Sequence, residues 1–184
     1  MRALSALALV LALGACGGSA SPSCPAQPMP SATPNANADP ALADSFPDTV
    51  AGQPLEVATF CVTELDGLGG IETSDEMLDA LGVSLEDLTI AAVPPAIGAP
   101  GGTFSVGAYR FAGADEDAIR DTFFRLLEDA STELDVDPGI EEVTIGGKDA
   151  HRALGLVYYF TDDTMYSVQS ADEAKIEEIL EALP

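Results

Sequence analysis

The sequence predicts an α+β domain, an antiparallel sheet with helices packed on one face, in the order β-α-β-β-α-β-β-β-α. Three observations carry this. Two segments, residues 115–131 and 170–183, repeat apolar side chains at helical spacing. Short runs rich in β-branched and aromatic residues fill most of the remaining chain from residue 55 onward. Turn-forming pairs separate these runs closely enough for hairpins rather than crossovers.

Taken in order, residues 55–63 (LEVATFCVT) are β-branched and aromatic enough for a strand. Thr73-Ser-Asp-Glu76 has the spacing of a capping box. Met77, Leu78 and Leu81 follow on one face and Gly82 supplies a stop, which predicts a short helix. Residues 88–93 and 103–111 read as strands separated by a Pro/Gly loop. In the helix predicted over residues 115–131, Ile119, Phe123, Leu126 and Leu127 form a single stripe, and Asp115, Glu116 and Asp117 complement the dipole at its start. Residues 142–145 and 148–154 flank Gly146-Gly147 as a tight hairpin, and residues 156–160 and 165–169 form another around Thr161-Asp162-Asp163-Thr164. Ser170-x-x-Glu173 opens the last helix, with Ile176, Ile179, Leu180 and Leu183 on its buried face.

A short recurrence suggests duplicated β-β-α halves. Residues 109–119 (YRFAGADEDAI) align without gaps on residues 166–176 (YSVQSADEAKI), and Tyr, Ala, Asp, Glu and Ile coincide. Independent starts of a helix after a strand would give the same similarity.

The first residues read differently. Arg2 is followed by an apolar run over residues 3–13, shorter than the roughly 20 helical residues that a bilayer span needs. Leu13-Gly14-Ala15-Cys16 then resembles the lipobox of bacterial lipoprotein precursors, in which small residues admit the chain to a peptidase and the cysteine thiol receives a diacylglyceryl group. The resemblance covers the first 16 residues. It implies a signal peptide over 1–15, cleavage before Cys16, and anchoring through acyl chains such as palmitate, each buried methylene contributing roughly 0.8 kcal/mol. It places the protein on the extracytoplasmic side of the cell membrane or outer membrane, with Gly17 after the cysteine suiting the outer membrane where a cell has two. Residues 16–45, rich in Ala, Pro, Ser, Gly and Asn, are expected to be a disordered tether with a reach of roughly 30 Å. A single domain is expected over 46–184.

In an exported chain the other two cysteines, Cys24 and Cys61, are expected to form a disulfide; the alternative leaves Cys61 as a buried core thiol. The charge balance, 31 acids against 7 bases and −24 net, repels nucleic-acid phosphate and anionic headgroups and excludes a nucleic-acid partner. Residues 88–109 contain no charged residue. Their central loop, with Val93, Pro94, Pro95, Ile97 and Pro100, is the sequence's candidate for contact with a ligand or partner, against the plainer reading of two central strands joined by a stiff loop.

No catalytic set emerges. His151 is the only histidine and no G-x-S-x-G elbow accompanies it. Lys148, His151 and Arg152 cluster on one predicted strand, Lys148 and Arg152 on one face and His151 on the other, and the bland reading is an edge strand protected by charge. Glu133-x-Asp135-x-Asp137 departs from a calcium loop because Pro138 stands where Gly is needed and Thr144 where Glu is needed. No cofactor or metal is implied. The expectation is a membrane-anchored, non-enzymatic binding or interaction module with a protein partner, or alternatively a carrier of a small apolar or lipidic molecule; a carboxylate-based hydrolase ranks last.

Overall fold

The computed structural model describes residues 39–61, 71–93 and 104–184. Seven strands form one antiparallel sheet: β3 (Ala58–Cys61), β4 (Leu88–Val93), β5 (Phe104–Phe111), β6 (Glu141–Ile145), β7 (Lys148–Ala153), β8 (Leu156–Thr161) and β9 (Thr164–Ser170), in the spatial order β3-β4-β5-β9-β8-β7-β6. β1 (Thr49–Val50) and β2 (Gln53–Pro54) make a separate small hairpin. The helices are α1 (Pro40–Ala43), α2 (Asp75–Leu81), α3 (Glu116–Glu133) and α4 (Glu173–Ala182). This is an α+β domain. Four strands lie between α3 and α4, at the four runs read there from the sequence, although the expected order counted three; the hairpin β1–β2 is additional.

Helices cover both faces of the sheet, which corrects the expectation of one. Ile119, Phe123, Leu126 and Leu127 of α3 pack with Met77 and Leu78 of α2 on Leu88, Ile90, Phe111, Tyr158, Phe160 and Met165. On the other face, Ile176, Ile179 and Leu180 of α4 pack with Leu42 of α1 on Ala91, Val93, Val106, Val157, Tyr166 and Val168. Successive residues on β4, β8 and β9 therefore enter opposite cores, as strand alternation requires. The strands bury too much apolar surface for one layer of helices to cover. Each fully buried Leu, Ile or Phe contributes roughly 2 kcal/mol, so an uncovered face would be costly.

The same alternation rules out a simple duplication. A dyad through the β5–β9 ladder would superpose β4–β5 on β8–β9 and keep the faces. Yet α3 and α4 lie on opposite faces, and the aligned Tyr109 and Tyr166 belong to different cores. The recurrence is two separate helix starts.

The helix caps differ from the expected ones in detail. Ser74, not Thr73, caps α2, its hydroxyl accepting from the Met77 N–H at 3.1 Å. Asp172, not Ser170, caps α4 by accepting from Ala174 N–H, while Ser170 Oγ accepts from Asp172 N–H. In each case the side chain nearest the first turn takes the free amides. The Gly146-Gly147 hairpin forms as expected, with φ of +59° and +74°. β7 is interior, between β8 and β6, so the free edge on this side is β6 rather than the strand bearing Lys148 and Arg152. Those two residues do share a face away from His151. Lys148 Nζ donates to the Pro184 carbonyl at 2.6 Å, and Arg152 pairs with Glu173 of α4.

The expected tether overlaps the fold. Asp39 is 3 % exposed and Leu42 fully buried. The Asp39 carboxylate accepts from Leu42 N–H at 2.9 Å, capping α1. It also accepts from Thr89 Oγ1 at 2.9 Å and from Arg110 Nη1 at 2.8 and 3.0 Å. Arg110 Nε lies 3.3 Å from Asp163, so one guanidinium links α1 to the β8–β9 turn. Residues 39–45, assigned to the tether from the sequence, are therefore part of the packed domain.

Two stability predictions follow from these contacts. Asp39→Ala strands the Arg110 charge and the Thr89 hydroxyl, and is expected to lower the stability of the full chain by about 2 kcal/mol in urea unfolding; no change would mean that α1 is not part of the cooperative unit. Gly147→Ala should cost about 1 kcal/mol for its positive φ alone. Gly146→Ala should cost at least about twice that, because its Cβ would also meet Glu177 O and Glu181 N of α4 at 2.9 Å.

Candidate functional site

α3 lies over β8 and β9, and the β6–β7 hairpin extends beyond it. The side chains of that hairpin on the α3 face, Glu142 and Thr144 from β6 and Asp149 and His151 from β7, are left facing the first turns of the helix. With Arg120 and Asp121 they line an open groove of about 670 Å³. Register fixes the arrangement: Glu142 stands opposite His151, and Thr144 opposite Asp149, with Thr144 Oγ1 3.3 Å from Asp149 Oδ1. Arg120 is held by Asp117 at 2.8 Å and Asp121 at 3.2 Å.

His151 is the one group here with acid–base capacity near neutrality. Its ring sits 4.8 Å from that of Phe124 and 6.0 Å from that of Phe160. Nδ1 is sealed from solvent with no hydrogen-bond partner among the described residues. Burial pushes the imidazole pKa down, the Glu142 carboxylate opposes this, and the Arg120 charge adds to it. The neutral ring is thus the form the site favours. In the tautomer that leaves the sealed Nδ1 unprotonated, Nε2–H remains as a donor. The groove offers carboxylate acceptors, one hydroxyl and one imidazole.

A second polar cluster lies on the same face nearer the middle of the sheet. Burial raises the pKa of Glu72. Tyr109 is pushed up to about 12, by burial first and then by the Glu72 charge, with a hydrogen bond to Ser167 opposing. Tyr158 is raised in the same way by burial and by Glu72. Gly107 leaves the space they share, since a Cβ there would meet Ser167 Oγ at 2.9 Å and the Tyr109 ring at 3.4 Å. Burial is the largest cause in all three cases and disfavours the charged form of each group.

Of the residues the sequence singled out, Cys16, Cys24, Pro94, Pro95, Ile97 and Pro100 lie outside the described residues. Cys61 ends β3, and its pairing with Cys24 is likewise outside them. Val93 is the last residue of β4, 7 % exposed and packed in the α1/α4 core, which leaves its own side chain facing the interior. The sequence did pick out His151 but not the companions that make a groove around it. Their signal, acids on alternate positions of two strands either side of Gly146-Gly147, becomes a site only once α3 stops short of them. The acids of residues 133–137 do not converge: among the described residues no group of three His, Cys, Asp or Glu side chains could hold a metal ion. No helix among the described residues is long and apolar enough to cross a membrane. No protein-family model, curated protein or solved structure matches the chain.

The His151 environment makes a signed prediction. Its NMR titration midpoint should lie below 6.5, fall further in Glu142→Gln and rise in Arg120→Leu. Because the folded pKa is the lower one, the group's contribution to stability is complete above the unfolded value and is lost as pH drops below it. A midpoint at or above 6.5 would contradict the buried, neutral ring.

Proposed function

We propose that this chain is an extracytoplasmic lipoprotein, held at a membrane surface by acyl groups on Cys16, whose domain serves as a binding or interaction module and not as an enzyme. The observation that carries the reading is Leu13-Gly14-Ala15-Cys16 placed directly after a charged start and a short apolar run. More than one acyl chain gives stable attachment, and the work of the domain is then done beyond the bilayer. The groove between α3 and the β6–β7 hairpin supports the binding part. It is open, fixed by strand register and bounded by side chains suited to hydrogen bonding and ion pairing.

The carrier alternative uses the sheet as the floor of an apolar site beneath the loop containing Pro94, Pro95, Ile97 and Pro100. Over the described strands both faces of the sheet are already packed by helices, which favours the interaction module.

Cys16→Ser is expected to move the protein from the membrane fraction to the soluble fraction, and the wild-type N-terminal peptide should carry acyl mass on Cys16 by mass spectrometry. An unmodified thiol with the first methionine retained would overturn the anchor. A hydrolytic activity retained by the purified domain would overturn the module.

A further inference from the structure

Among the described residues three large apolar side chains stand largely in solvent: Leu134, 75 % exposed, Val136, 50 %, and Leu154, 49 %. All three lie at one corner. Leu134 follows the last residue of α3, and Val136 comes two residues later. The Leu154 N–H donates to the Pro138 carbonyl at 3.0 Å, fastening the β7–β8 turn to the same loop. The backbone beneath is fixed. Val136 N–H donates to Ser131 O at 2.9 Å, Asp135 N–H to Thr132 O at 3.2 Å, and Gly139 N–H to Asp137 Oδ1 at 2.9 Å.

Leu154 occupies a place where leucine is a poor choice for folding. It precedes Gly155 in the turn, with φ of +50° against +81° for the glycine, and Asn or Gly suits such a position better. Leucine here has neither burial nor backbone preference in its favour. Glu133, Asp135 and Asp137 alternate with Leu134 and Val136 along the chain, all of them exposed, and no cation pairs with these acids among the described residues. Arg110, Arg120, Arg125 and Arg152 are each engaged elsewhere in the fold.

We propose that this corner is a docking surface for a cationic protein segment, whose apolar side chains seat on Leu134, Val136 and Leu154 while its Lys or Arg residues face Glu133, Asp135 and Asp137. Charge selects the partner. A second copy would bring the same acids against themselves, with its own arginines already paired, and an anionic bilayer is repelled in the same way. This deepens the interaction-module reading and rests on it.

The test uses the full chain carrying Cys16→Ser, labelled with 15N and titrated with an amphipathic leucine–lysine peptide. Oligolysine and a leucine–glutamate peptide serve as comparisons. Amide shifts should concentrate at residues 131–137 and 153–155, the leucine–lysine peptide should bind most tightly, and added salt should weaken it. Leu134→Ser and Leu154→Asn should each weaken binding about tenfold. Leu154→Asn should at the same time raise the unfolding temperature, an opposition that a purely structural leucine would not produce. Equal binding of oligolysine, affinity unchanged in both variants, or self-association abolished by them would overturn the proposal. Shifts centred on Arg120 and His151 would also overturn it while leaving the interaction-module reading standing, whereas an unmodified Cys16 in the native protein bears on that reading alone.

Discussion

The architecture depends on one constraint: the strands at the centre of the sheet are apolar on both faces. β5 and β9 pair over Phe104–Arg110 and Thr164–Ser170, and β4 and β8 flank them. Leu88 and Ile90 point one way and Ala91 and Val93 the other; Val157 opposes Tyr158 and Phe160; Met165 opposes Tyr166. Neither set can face water, so two layers of helix are needed. α3 with α2, and α4 with α1, meet that need from opposite sides. The position of the groove beside α3 follows, because its side chains reach solvent where the β6–β7 hairpin runs out from under the helix.

Much of this was legible in the chain. The stripes of α3 and α4 bury the residues that their spacing singled out, since a 3.6-residue period over several turns has few alternatives. Gly146-Gly147 and the Asp162-Asp163 pair turned the chain where expected. The number of helical layers was misjudged, although the 22 uncharged residues from Leu88 to Tyr109 already carried the information. Strands that are free of charge on both alternating sets belong to a doubly covered sheet. α1 was hidden for a different reason. Four residues (PALA) are too few to display a period, and their docking rests on Leu42 and on the Asp39 carboxylate meeting Arg110, 71 positions away. Nothing local announces such a contact.

The groove illustrates the same limit. His151, Glu142 and Asp149 were visible as residues, and strand alternation even gave His151 its face. That they border open space depends on α3 lying chiefly over β8 and β9, a matter of long-range packing. Lowering of the histidine pKa by burial against Phe124 and Phe160 is likewise a property of the assembled face.

The manner in which the chain enters the domain has a mechanical consequence. Tension arriving along the residues before Asp39 meets the bonds of that carboxylate to Arg110 of β5 and Thr89 of β4, and then the seat of Leu42, so it enters the sheet through side chains and not along a strand. Those side-chain bonds and the seat of Leu42 would give way before the backbone ladder between β5 and β9, so that the first yield under force is small, local and able to re-form by itself.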